Sequence, residues 1–234
     1  MQFLLDAGLV LLGYLLGSIP FGLIIVKLKT GKDIRNVESG RTGGTNALRA
    51  AGFWAGLGTA VMDIVKGAAA VWIAQALTPS DWVHALAPVA AILGHNYSAF
   101  LPDFDENGKF KRLRGGAGGG PAAGGALGLW PIAGLIVIPV GALVFFGLGY
   151  ASVTTISVGL TAIVVFAVRA WLGYSPWIYV LYGVLAEILL LWALRPNLQK
   201  LVNGTERVVG ISLHGKLKAR KEKISAEEAV QDIE

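Results

Sequence analysis

The sequence predicts an all-α integral membrane protein with about seven transmembrane helices, some of them short, the N-terminus outside and the C-terminus cytoplasmic. Three observations predict it. The 234 residues are 54% hydrophobic and only 15% charged, with 32 glycines, too apolar and too poor in charge for a water-soluble domain. Of the 20 Lys and Arg residues, 18 lie in three stretches, Lys27 to Arg49, Lys109 to Arg114 and Arg195 to Lys223, which the positive-inside rule places in the cytoplasm. The apolar run from Phe3 to Val26 has lysines after it and no basic segment before it, the pattern of an uncleaved first span.

The elements follow in order. Span one covers Phe3 to Leu28 and holds Pro20, which removes a backbone donor and predicts a kink. A polar loop leads to span two, Trp54 to Leu77. Thr78 to Asp81, with Pro79, is a tight outer connection to span three, Val83 to Leu101. The glycine run from Gly115 to Gly125 is too rich in glycine for a firm helix start, and part of the stretch before it should be an ordered loop. Pro121 to Leu148 is long for one span, and a break at Gly128 to Pro131 gives two short helices. Spans six and seven are Val153 to Val168 and Pro176 to Leu194. Arg169 falls at the predicted outer end, where a single arginine snorkels. Residues 1–210 thus form a membrane domain with cytoplasmic stretches at about 29–53, 94–120 and 195–206, and 211–234 a charged cytoplasmic tail, a surface helix or a mobile segment.

Chemistry concentrates in those stretches. There is no cysteine, which excludes disulfides and thiolate catalysis, and three histidines without ligand spacing predict neither a metal site nor a cofactor. Basic residues without interleaved aromatics exclude a nucleic-acid module. The first stretch, Glu38 to Arg49, reads E-S-G-R-T-G-G-T-N-A-L-R, small residues and hydroxyls among guanidinium groups, the composition of a phosphate cradle. Topology alone requires Lys and Arg, not Ser39, Thr42, Thr45 and Asn46 among glycines. Asp63 and Lys66 share one face of span two, an intramembrane pair that either floors a site or staples helices. Glu187 has no sequence-local partner. His95 opens the second stretch, placed to bind phosphate or assist proton transfer, whereas His84 and His214 read as structural.

These residues resemble the acyl-phosphate-dependent glycerol-3-phosphate acyltransferases of bacteria, the PlsY family. Ser39 to Arg49 is similar to that family's S-G-N-x-G-A-T-N-x-x-R signature, retaining Ser39, Gly40, Gly43, Thr45, Asn46 and Arg49. Asp63, Lys66 and Gly67 resemble its D-x-x-K-G element, Gly94 and His95 its G-H pair, and Gly149 to Ser152 its small G-Y/F-S-S segment. Asn197, Leu198, Lys200, Leu201, Gly204 and Glu206 follow its N-I-x-R-L-x-x-G-x-E pattern. The likeness runs from Gly17 to Glu206. Three departures stand out: Arg114 and Ala117 occupy the lysine positions of F-K-G-G-K-G-V-A-T, residues from about Asp103 to Lys111 are inserted, and a histidine before Asn197 is missing with Arg195 nearby.

The resemblance implies transfer of a fatty acyl group from acyl phosphate to the 1-hydroxyl of glycerol 3-phosphate by a cofactor-free, monomeric enzyme of the inner membrane, working on its cytoplasmic face. It implies catalytic roles for His95, Ser39 and Asn46. Substrate binding would fall to Arg49, Thr45, Gly43, Gly44, Arg114 with the amides of Gly115 and Gly116, Ser152, Asn197, Lys200 and Glu206. Acyl phosphate is already activated, so no acyl-enzyme is needed, and the absence of cysteine and of a G-x-S-x-G elbow agrees. The departures leave open another polyol-phosphate acceptor. A non-catalytic membrane protein or anion transporter is the alternative of another class, although no inverted repeat is visible.

Overall fold

The computed structural model describes residues 1–231 and is almost wholly helical. The first apolar run forms α1 (Gln2–Ser18) and α2 (Phe21–Thr30). Pro20 separates them as its missing N–H predicts, and the Ile19 carbonyl released at the break accepts from Lys66 Nζ at 3.0 Å. Within the polar loop lies α3 (Gly44–Ala51). α4 (Phe53–Leu77) and α5 (Asp81–Asn96) follow. α5 stops at Asn96, before the expected Leu101, and a two-stranded antiparallel hairpin, β1 (Pro102–Phe104) and β2 (Phe110–Leu113), occupies the inserted stretch.

The glycine run overturns the expectation placed on it. α6 (Gly119–Leu129) starts inside it. Gly120, Gly124 and Gly128 recur every four residues and form a ridge against α4, where an added Cβ would meet Asp63, the Ile64 carbonyl and Val71 respectively. Helix propensity is outweighed there by close packing. α7 (Pro131–Gly147) begins at the expected break, with Pro131 at its first position. α8 (Ala151–Trp171) and α9 (Ile178–Val202) complete the bundle, and α10 (Leu213–Gln231) is the tail. The tail's last three residues lie outside the described residues.

α9 also corrects the sequence reading, because it runs through Pro196 and makes the third stretch mostly helical. The Trp192 carbonyl, which Pro196 leaves without its helical donor, accepts from Arg195 Nε at 3.1 Å, and the neighbouring Ala193 carbonyl accepts from Arg41 at 2.5 Å. Among the described residues, four segments are long and apolar enough to cross a membrane: Gln2–Thr30, Phe53–Leu77, Ala151–Trp171 and Ile178–Val202. α6, with 11 residues, rises about 16 Å, half a hydrocarbon core. The interior is built of Ile92, Ala122, Ala126, Phe166, Tyr182 and Leu190, while Leu4, Leu135, Leu143 and Val164 point outward, as a lipid-facing surface demands. Glu187 is buried against Gly159 of α8.

Candidate active site

The three polar stretches converge. Thr42 N donates to Gly115 O at 3.2 Å, and Gly116 N donates to His95 O at 2.8 Å, so the first two stretches are knitted backbone to backbone at the end of α5. Arg41 joins the third by its bond to Ala193 O. Two cavities open at this junction. One, of about 610 Å³, is polar and is walled by Arg41, Arg112, Arg114, Gly115, Arg195 and Lys200 among others. The other, of about 420 Å³, has Ser39, Thr45, Asn46, Arg49 and His95 at its head and Leu57, Val61, Ile138, Phe145 and Val158 along its walls. Ser39, Arg41 and Asn197 line both.

Asp63 lines the apolar cavity, and Lys66 staples it to neighbouring elements. Lys66 Nζ forms an ion pair with Asp63 Oδ1 at 2.8 Å and lies within hydrogen-bond distance of His95 Nδ1 at 2.9 Å and Ile19 O at 3.0 Å. With Lys66 carrying its proton, His95 Nδ1 accepts, which assigns the ring proton to Nε2. Nε2 faces Gly116, where a Cβ would collide with it, so glycine at 116 is a steric requirement of the imidazole. His95 thus presents an N–H donor to the apolar cavity it lines.

Two helices begin at this cavity. Gly43, Gly44 and Thr45 stand at the start of α3, and Gly118 to Gly120 at the start of α6. First-turn amides have no intrahelical partner, so both starts offer N–H groups to an anion. The α6 start is a site feature that sequence reading missed. Its signal was the glycine run itself, read as a helix breaker.

Several predicted residues change role. Asn46 Nδ2 donates to the carbonyls of Ile34, Val37 and Arg41 at 3.2, 3.0 and 2.8 Å, holding the loop in shape, and only its buried Oδ1 lacks a partner. Ser152 and Glu206 line neither cavity. Ser152 Oγ donates to Glu206 Oε2 at 2.5 Å, and Asn197 Nδ2 to Glu206 Oε1 at 3.3 Å, a clamp between the starts and ends of neighbouring helices. Gly204, at φ 67°, turns the chain after α9 so that Glu206 reaches back to them. The amide of Gly116 is spent on His95, not offered to phosphate. Arg114 lines the polar cavity, but its Nε is 2.9 Å from Asp103 Oδ2 on β1, and this bond holds the Asp103 carboxyl below its ordinary range.

Arg49 and Arg41 differ from these. Arg49, half-buried, donates to Arg207 O at 3.3 Å, and Arg207 pairs with Glu38. Burial draws both the Arg41 and Arg49 guanidinium groups below the ordinary arginine value, while the charge of Glu206 acts in the opposite direction. Arg41 is one of the guanidinium groups of the expected phosphate cradle, but the resemblance gave it no role, because the family signature has asparagine there.

A family model described as glycerol-3-phosphate acyltransferase matches residues 7–204. The glycerol-3-phosphate acyltransferase of Thermus thermophilus is 38% identical over 200 residues, which cover 86% of this chain and 93% of that one. That of Rubrobacter xylanophilus is 37% identical over 207 residues, 88% of this chain and 96% of its own. Among solved structures, the glycerol 3-phosphate form of PlsY (YgiH), an integral membrane glycerol 3-phosphate acyltransferase, aligns with a TM-score of 0.73 at 31% identity, covering 88% of this chain and 96% of that one. Its lysophosphatidic acid form aligns with a TM-score of 0.71 at 28% identity over the same shares.

Proposed function

This chain belongs to the glycerol-3-phosphate acyltransferase family, and we propose that it transfers a fatty acyl group from acyl phosphate to the 1-hydroxyl of sn-glycerol 3-phosphate, yielding lysophosphatidic acid and inorganic phosphate. The observation that carries this reading is the pair of adjoining cavities, one cationic and one apolar, that meet at Ser39, Arg41 and Asn197. A soluble polyol phosphate suits the first. A fatty chain suits the second. The solved neighbours' glycerol 3-phosphate and lysophosphatidic acid forms support the same pair of ligands.

Acyl phosphate is a mixed anhydride, so the chemical task is to aim the hydroxyl at the carbonyl and stabilise the tetrahedral oxyanion. The hydroxyl oxygen forms the new ester bond, the carbonyl–phosphate C–O bond breaks, and phosphate departs. His95, with its proton on Nε2, acts as a donor to developing negative charge, and the N–H groups at the start of α6 lie on the same cavity. The hydroxyl proton passes to a phosphate oxygen, since His95 Nδ1 is engaged by Lys66. Arg49 and the start of α3 hold the anionic head, with Ser39, Thr45 and the Asn197 Oδ1 as polar neighbours, and Lys200 receives the second phosphate in the polar cavity.

The enzyme works as a monomer in the cell inner membrane, with seven membrane segments, the N-terminus outside and the site on the cytoplasmic face. The concentration of Lys and Arg in the site-bearing stretches supports this orientation. The test is purified protein with palmitoyl phosphate and glycerol 3-phosphate, following phosphate and lysophosphatidate. Product well above a boiled control is expected; none, from protein shown intact by a thermal melt, overturns the reading.

A further inference from the structure

An inventory of cations around the cavities separates those already neutralised from those awaiting a partner. Arg35 is paired with Asp33, Arg112 and Arg114 with Asp103, Arg207 with Glu38, and Lys66 with Asp63. Arg41, Arg49, Arg195 and Lys200, which line the cavities, have no carboxylate within ion-pair distance among the described residues, and the Arg41 guanidinium makes one hydrogen bond, to Ala193 O. A guanidinium carries five N–H donors, so four remain. A half-buried cation without a counterion is costly unless an anion binds beside it.

Its position says which anion. Among the described residues, Arg41 is the single cation lining both cavities; Arg49 lines only the apolar one, and Arg112, Arg114, Arg195 and Lys200 only the polar one. An amphiphile with its chain in the apolar cavity and its charge outside it places that charge at the boundary between the two. Arg41 is also held there in advance. Its carbonyl accepts from Asn46 Nδ2 at 2.8 Å, the next residue is bonded to Gly115, and its guanidinium is anchored on the Ala193 carbonyl of α9.

Building on the acyl-transfer reading, we propose that Arg41 is the cation that grips the phosphoryl group of the acyl donor, replacing a basic side chain at position 117, where this chain has alanine. Ala117 lines the same cavity as Arg41, so charge removed from the second stretch reappears from the first. The phosphate site of this chain is thereby assembled from a different loop, while Arg114, at the family's first lysine position, is paired with the hairpin's Asp103, which it shares with Arg112.

The test measures binding of a non-hydrolysable palmitoyl phosphonate to detergent-purified wild type, R41Q, and R41Q/A117K, with hexadecanol as a phosphate-free control. The glutamine side chain of R41Q removes the charge and stops two atoms short of Ala193 O, so the hexadecanol control, which reads the apolar cavity without a phosphate, distinguishes a strap from a phosphate ligand. The expected result is roughly 10- to 100-fold weaker phosphonate binding in R41Q, with hexadecanol affinity unchanged and at least tenfold recovery in R41Q/A117K. Unchanged phosphonate affinity, an equal loss for hexadecanol, or no recovery in the double variant overturns the proposal. Phenylglyoxal mapping of the unaltered protein gives a second measure that needs no variant to fold: phosphonate should protect Arg41, and unprotected modification counts against it. Turnover of the same wild-type preparation judges the reaction separately, so a protein that binds phosphonate through Arg41 yet makes no lysophosphatidate retires the reaction and leaves the anion site standing.

Discussion

His95 shows how one lysine settles the chemistry of a neighbour. Because Lys66 is placed to donate to Nδ1, the imidazole is fixed as an Nε2–H donor, and a side chain with an amide N–H should replace it in part. His95→Ala is expected to lower kcat/KM about 100-fold, the scale of one lost oxyanion donor. His95→Gln should retain about tenfold more activity than the alanine variant, and equal rates for the two in a phosphate-release assay would contradict the donor role. Glu206 belongs to another category, a buried carboxylate committed to Ser152 and Asn197. Glu206→Gln should cost about 1–3 kcal/mol of stability, seen as a lower melting temperature, with both KM values changed less than about twofold.

At the scale of elements, α6 carries the site and the packing at once. Its glycines 120, 124 and 128 permit the approach of α4, and Gly124 sits against the Ile64 carbonyl with no room for a Cβ. Gly124→Leu should therefore destabilise the bundle by about 3 kcal/mol or more, read as loss of a single monodisperse species on size exclusion. The hairpin acts on the site by subtraction, since Asp103 occupies Arg114. Asp103→Asn should release that cation to the polar cavity and lower the KM for glycerol 3-phosphate severalfold; a raised KM would show that the pair is needed to shape the loop. The carboxyl is held below its ordinary range, so the pair stands at neutral pH and weakens only as acidification passes the depressed folded value.

For the whole molecule, the proposed threading puts the site-bearing stretches on the cytoplasmic side and the α4–α5 connection outside. The chain contains no cysteine, which makes single-cysteine labelling direct. A cysteine replacing Ser80 should react with an impermeant maleimide in intact cells, and one replacing Lys109 only after permeabilisation. The reverse pattern would invert the threading and the location of the active site with it.

Hydropathy and charge spacing determined the membrane class, the helix break at Pro20, the division of the long apolar run before Pro131 and the three polar stretches, because each is a property of neighbouring residues along the chain. Only the tertiary structure decided which polar groups face a ligand. The amide N–H groups of Asn46, and Ser152 with Glu206, are spent on the protein itself, Arg114 is paired with a carboxylate from the preceding hairpin, and Arg41 remains with donors to spare. The reason is physical: a group's chemistry is set by whatever else competes for its hydrogen bonds and charge, and those competitors come from distant parts of the chain. The glycine run is the same lesson in packing, where the close approach of α4 outweighs the low helix propensity of α6.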